Sequence, residues 1–214
     1  MSLPPIRLHP SFLVLGGAYV GWQLLTGGFG AALAALMVGV AVFASVALHE
    51  LGHALMAHRF GIGTRSITLY PFGGIAALER EPRGHAELWI ALAGPLVNFG
   101  LALGALPLLG TLPGASLFAL LNLGMGVFNL LPAFPMDGGR VVRAWWSRDH
   151  GHVRATARAL AVSRWFAWGF IALAILSGAW NLALVGAFLH WVIAAEKRRL
   201  RSEQWASRRS WHFA

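Results

Sequence analysis

The chain reads as an all-α integral membrane protein with six transmembrane helices and a small β-hairpin or re-entrant loop on the cytoplasmic side. Three observations lead there. Of 214 residues, 57% are hydrophobic and 12% charged, about half the charged share of an ordinary soluble domain. Three long stretches contain no Asp, Glu, Lys or Arg: between Arg7 and Glu50, between Glu87 and Asp137, and between Arg164 and Glu196. The basic residues behind the formal charge of +9 lie between these stretches, not along them. So rich an aliphatic and aromatic content excludes intrinsic disorder. Without cysteine, disulfide scaffolding, thiolate nucleophiles and thiolate metal ligands are excluded as well.

A span needs about 20 apolar residues, so the first two stretches each hold two. Gly27-Gly28-Phe29-Gly30 divides the first into spans at about 11–28 and 31–58. Between spans two and three, Thr64 to Leu78 contains two β-favouring runs around Pro71-Phe72-Gly73-Gly74, the hairpin or re-entrant loop. Gly110-Thr111-Leu112-Pro113-Gly114 divides the second stretch into spans at about 86–109 and 115–133. The third stretch is long for one span and short for two, with Ser177-Gly178-Ala179-Trp180-Asn181 at its centre.

Charge asymmetry decides for two, at about 158–177 and 180–196, because cytoplasmic loops collect Lys and Arg. With six spans, all 17 basic residues fall on one side: Arg7, the loop from Arg59 to Arg83, the segment from Arg140 to Arg164, and the tail from Lys197. Five spans would carry the tail across the membrane. Both termini are therefore expected in the cytoplasm, with the first span a retained anchor and not a cleaved signal. The basic excess speaks for topology and contact with anionic lipid of the bilayer, not for nucleic acid. Loops this short leave residues 1–214 as a single domain.

Ionisable groups inside spans are functional candidates, because hydrocarbon makes them costly. Span two ends with His49-Glu50-Leu51-Gly52-His53. Residues four apart share a helix face, so His49 and His53 can present two imidazoles to one metal. Glu50 beside them can take a proton from water at that metal, the arrangement of zinc hydrolases. A buried polar network without metal is the alternative, but three ionisable groups in one helical turn would destabilise the span unless a cation compensates. Catalytic zinc usually takes a third protein ligand. Glu79, Glu81, Glu87 and Asp149 fall in charged loops; Asp137, after Pro132 and Pro135 break the helix, is the better candidate. Its other reading is a helix N-cap. Asn98 in span three, and more weakly Asn129, could bond a neighbouring helix. Gln23 and His190 read as structural.

His49-Glu50-Leu51-Gly52-His53, then Ala93-Gly94-Pro95-Leu96-Val97-Asn98, then Asn129-Leu130-Leu131-Pro132 leading to Asp137-Gly138-Gly139-Arg140, together resemble the site-2 protease family of intramembrane zinc metalloproteases. The likeness covers spans two to four and the loop between, about half the chain, with the motifs in the family's order. It implies one Zn2+ per chain held by His49, His53 and Asp137, with Glu50 as general base, in proteolysis within or near a transmembrane segment of a membrane-protein substrate; Asn98 matches the family's asparagine in span three, which could donate to a developing oxyanion, and Asn129 is a weaker case of the same kind. It also implies a bacterial or archaeal cell membrane and leaves room for a regulatory membrane protein. Members of that family often carry a PDZ insertion or a C-terminal CBS region; this chain is expected to be a minimal member with neither.

His49 lies ten residues from Arg59, so the metal is expected about 15 Å inside the basic boundary, reached by water through a polar channel. Zinc would polarise the scissile carbonyl and acidify water, Glu50 passing the proton to the leaving amine without a covalent intermediate. A peptide held extended could join an exposed strand of the 64–78 loop, unless that loop is a mere connector. Three other readings compete. A catalytically silent partner-binding relative would more readily have lost Glu50. A metal carrier would need ligands in the far half of the bilayer, where Gln23 and Asn181 stand almost alone. A different membrane zinc protease fold would use a glutamate ligand, and the remaining glutamates lie outside the spans.

Overall fold

The structure is a computed structural model that describes residues 4–70 and 73–210. Its elements are β1 (Ile6–Leu8), α1 (Pro10–Arg59), β2 (Thr64–Tyr70), β3 (Gly73–Leu78), α2 (Gly84–Ala105), a 3-10 turn at Leu106–Leu108, α3 (Ala115–Asn129), α4 (Asp137–His150), α5 (His152–Ser177) and α6 (Trp180–Ser210). They fall into two compact units. One runs to Pro82 and takes in Trp89–Asn129; the other comprises Arg83–Leu88 and the chain from Leu130.

In the first unit, the 50 residues of α1 are not one rod. Gly28 alone inside it has non-helical dihedrals (φ 74°, ψ −172°), a positive φ that only glycine adopts without strain. Phe12 and Phe43 would stand about 46 Å apart on a straight helix, yet their ring centroids are 3.6 Å apart. The helix therefore reverses at Gly28, within the Gly27–Gly30 run, into two antiparallel arms.

The reversal brings the N-terminal strand back to the loop after α1. There β1 pairs parallel with β2, Ile6 opposite Ile67, and β2 pairs antiparallel with β3, in the order β1-β2-β3. The hairpin matches the expectation from sequence, with Pro71 and Phe72 of its turn outside the described residues; β1 is an addition, too short at three residues to signal itself. Ile67 and Leu69 alternate inward from β2 and pack on Ala54, Phe43, Val46, Ala47 and Ala76, each burial contributing about 2 kcal/mol. On the helical side, a Cβ at Gly52 would meet Val97 and the Ala93 backbone. The missing side chain lets α1 and α2 approach closely.

The second unit contains a helix that the sequence reading left as loop. Helix α4 is separated from α5 only by Gly151 (φ 73°). With Arg148 and Asp149 exposed and Arg143 buried, its charges make it an amphipathic helix and not an apolar one. Helix α5 starts at His152, before the expected 158, and α6 runs on to Ser210, past 196, because the Arg-, Lys- and Glu-rich flanks are good helix formers. Gly178, in the left-handed region, ends α5, and α6 returns along it, Gly186 lying against the Ala167 carbonyl and Ile171. Ala159, Leu160 and Ala167 of α5 pack with Leu189, Ile193 and Leu200 of α6 and with Phe134 and Met136. His190 bonds the Gly186 carbonyl and sets its ring edge-on to Trp168, a packing role.

Glu87 and Arg143 also differ from the loop reading. Glu87 stands in the first turn of α2, fully buried, and accepts from Arg143 Nε at 2.6 Å and Nη2 at 2.5 Å. Arg143 Nη1 lies 3.7 Å from Glu196 of α6, and its guanidinium stacks 5.2 Å from the Phe134 ring centroid. Removing one partner would leave a buried, uncompensated charge. Arg143→Ala is expected to destabilise the protein by about 3–5 kcal/mol, read as a lowered melting temperature in detergent. Arg143→Met together with Glu87→Leu should recover most of that loss, because apolar groups of similar volume replace such pairs at little cost.

Among the described residues, three helices are long and apolar enough to cross a membrane, Pro10–Arg59, Gly84–Leu108 and His152–Ser177, and Ala115–Asn129 is apolar but shorter.

Candidate metal centre

The first unit assembles the centre around the end of α1. His49 and His53 are both buried, and their Nε2 atoms converge to 3.0 Å. Each ring is held from behind. His53 Nδ1 lies 2.6 Å from the Ile90 carbonyl, and His49 Nδ1 lies 2.6 Å from Asn98 Oδ1. A carbonyl oxygen only accepts, so each Nδ1 carries the hydrogen and, in the neutral ring, each Nε2 carries a lone pair. Two lone pairs facing at 3.0 Å repel unless a positive charge sits between them, and two ligand bonds of about 2.0–2.1 Å can span that separation. The donor set therefore fits a zinc ion.

Helix α2 makes room for the pair. A Cβ at Gly94 would run into Nε2 of both His49 and His53. Pro95 follows, without an N–H for the Ala91 carbonyl and with a ring that opens the turn; in the same turn the Ile90 carbonyl is taken up by His53. The Ala-Gly-Pro sequence thus supplies the space and the anchor together.

Glu50 is buried next to the histidines. Its carboxyl end lies against Gly74 at the start of β3, where a side chain would collide with Glu50 Cγ and Cδ. The sheet edge thus passes directly over the acid. Ile75, next along β3, is 60% exposed.

Asn98 is fully buried and is not turned to solvent or an open site: its Oδ1 meets His49, and its Nδ2 donates to Asn122 Oδ1 at 3.0 Å. Asn129 ends α3, half-buried, two turns beyond Asn122. Asn122 went unnoticed in the sequence, although an amide inside an apolar helix is the signal that marked Asn98.

Asp137 belongs to the second unit. Met136 holds the N-cap position of α4 and makes no side-chain capping bond, so Asp137 is the first helical residue and not the cap. It is buried, and its Oδ1 accepts from Arg140 Nη1 at 3.4 Å. The preceding loop folds back on the helix start: a Cβ at Gly138 would strike the Leu130 and Leu131 carbonyls, and one at Gly139 the backbone of Ala133 and Phe134. Phe134 N–H donates to Ser163 Oγ at 2.8 Å, and Ser163 donates to the Ala159 carbonyl. The Asp-Gly-Gly sequence is required by this packing, which fixes Asp137 on a rigid segment.

Known proteins share this framework. The chain is 36% identical over 213 residues to a zinc metalloprotease of Methanocaldococcus jannaschii, covering 93% of this chain and 59% of that one. It is 31% identical over 188 residues to stage IV sporulation protein FB of Bacillus subtilis, covering 84% and 58%. It spans about three fifths of the length of these curated relatives. Its structure resembles that of the site-2 protease from Methanocaldococcus jannaschii with a TM-score of 0.68 and 33% identity over 92% of both chains. Peptidase family M50 matches residues 37–118 and 110–173, the stretches that carry the paired histidines, the Ala-Gly-Pro turn and the Asp-Gly-Gly start of α4. The chain belongs to peptidase family M50.

Proposed function

We propose that the protein is a zinc-dependent intramembrane endopeptidase that hydrolyses peptide bonds within or near transmembrane segments of membrane-protein substrates. The observation that carries this reading is the pair of imidazoles, each locked with its hydrogen on Nδ1 and its Nε2 lone pair directed at a common point, with a buried carboxylate beside them. His49, His53 and Asp137 hold the ion. Support for Asp137 comes from its motif, its burial and its place as the first residue of α4, after Met136 at the N-cap. When bound, zinc supplies the Lewis acidity that polarises a scissile carbonyl and makes water a better acid. Glu50 takes the proton and delivers it to the departing amine nitrogen, so one carboxylate serves as base and then as acid.

The fold crosses the membrane six times with both termini on the cytoplasmic side. The parallel pairing of β1 with β2 supports part of this, since it holds the N-terminal segment and the loop after α1 on one face. A substrate must be unwound to expose its carbonyls, and the edge of β3 beside Glu50 receives it as an added strand. Asn98 serves this site by bonding His49, and Asn129 lies near the break after α3 as a lesser candidate for substrate contact.

The test is cleavage of single-span peptides by the purified protein in detergent, with the cut mapped by mass spectrometry. A cut within or beside the span, lost on chelation and regained with zinc, is the expected result. No cut in any of several unrelated spans by zinc-loaded protein favours a silent, partner-binding relative. N-methylation of alternate backbone amides around the mapped bond should raise KM about tenfold or more, as strand addition loses its hydrogen bonds. An unchanged KM would remove β3 from substrate binding.

A further inference from the structure

Behind His49 a line of buried polar groups runs through three helices: Asn98 of α2, Asn122 of α3 and Ser45 of α1, all at most 1% exposed. Amide groups are nearly symmetric in shape, so Asn98 alone could face His49 with its oxygen or with its nitrogen. Backbone carbonyls at the far end remove the choice.

The Ala41 carbonyl only accepts, so Ser45 Oγ donates to it at 2.9 Å. The Phe118 carbonyl likewise only accepts, so the Asn122 atom 3.0 Å from it is Nδ2. The second hydrogen of that nitrogen goes to Ser45 Oγ at 3.1 Å, whose own hydrogen is already committed. Asn122 Oδ1 is thereby turned towards Asn98 and receives its Nδ2 hydrogen at 3.0 Å. That leaves Asn98 Oδ1 facing His49, 2.6 Å from Nδ1. Nδ1 must then be the protonated nitrogen, and Nε2 the one with the lone pair.

Turning Asn98 over would set acceptor against acceptor at Asn122 Oδ1 and donor against donor at His49 Nδ1. The ring would have to move its hydrogen to Nε2, where it could no longer ligate. We infer that Asn122 and Ser45 are positioning residues of the metal centre: acting through Asn98, they hold His49 as the tautomer whose Nε2 binds metal. Neither touches the ion or the substrate. This rests on His49 being a metal ligand, as proposed above.

The experiment measures Co2+ binding to the metal-free, folded protein by competition with a chromophoric chelator, together with the visible absorption of the bound cobalt. Orienting partners of metal-ligating histidines are typically worth 10–100-fold in affinity. Asn122→Leu is expected to weaken cobalt by about tenfold or more and to alter the band intensities. Ser45→Ala, a smaller change that removes only a hydroxyl, should weaken it by a few-fold in the same direction. In the Asn98→Leu background, adding Asn122→Leu should cost no further affinity, because the line is already cut next to the histidine. Wild-type affinity and spectrum in both Asn122→Leu and Ser45→Ala would overturn the inference while leaving the metal centre intact. So would full additivity of Asn122→Leu with Asn98→Leu, since a general loosening of the helices adds and a relay does not. A folded wild type that takes up neither cobalt nor zinc would instead overturn the metal centre itself.

Discussion

Glu50→Gln is expected to lower kcat by about a thousandfold or more while one zinc per chain stays bound. Glutamine keeps the size and the hydrogen-bonding shape of the side chain against Gly74, so the strand edge and the two imidazoles have no reason to move. What it loses is the ability to take up a proton and return it, a contribution made only on the way to the transition state. The loss should therefore fall on kcat, with KM little changed. Single-turnover cleavage of a mapped peptide, with zinc counted in the same preparation, separates the effects. Activity within tenfold of wild type would assign the proton transfer to another group. Loss of zinc together with activity would make Glu50 part of the metal's support.

Gly94→Ala is expected to strip the metal from a protein that remains folded. The substitution is favourable by local rules: Gly94 lies within α2, where alanine is preferred to glycine by about 0.5–1 kcal/mol. Against this stands a single methyl group that would occupy the meeting point of the two Nε2 atoms. Neither imidazole can retreat without giving up its anchor, at Ile90 O for His53 and Asn98 for His49. Zinc affinity should fall by at least about 100-fold, as for loss of a ligand's orientation or worse, with helical content and melting temperature retained. Circular dichroism and equilibrium dialysis on one sample check both halves. Alanine with wild-type zinc affinity would mean that the histidines have another way to converge.

Much of this was legible in sequence because hydrocarbon is an exacting solvent. Charges are expelled from apolar stretches, so the reversals at Gly28 and Gly178 and the paired histidines His49 and His53 stand out by contrast. Legibility fails where groups satisfy one another. Arg143 counts as one more loop charge until Glu87 is found against it. Asn122 resembles a packing amide until its bonds are followed to His49. Strand β1 owes its existence to a partner some sixty residues away and has no local signature. Asp137 fits a helix cap on pattern alone; only the backbone shows that Met136 holds that place.

The parallel bridge between β1 and β2 also bears on how the protein is made. Joining Ile6 to Ile67 directly would mean closing a loop of about sixty residues, an entropic cost that grows with loop length. Once α1 has turned at Gly28, the two ends of its arms already lie together and the closure becomes local. The order β1-β2-β3 is thus completed only after α1 has folded back on itself, whereas β2 and β3, adjacent in sequence, can pair as a hairpin without β1.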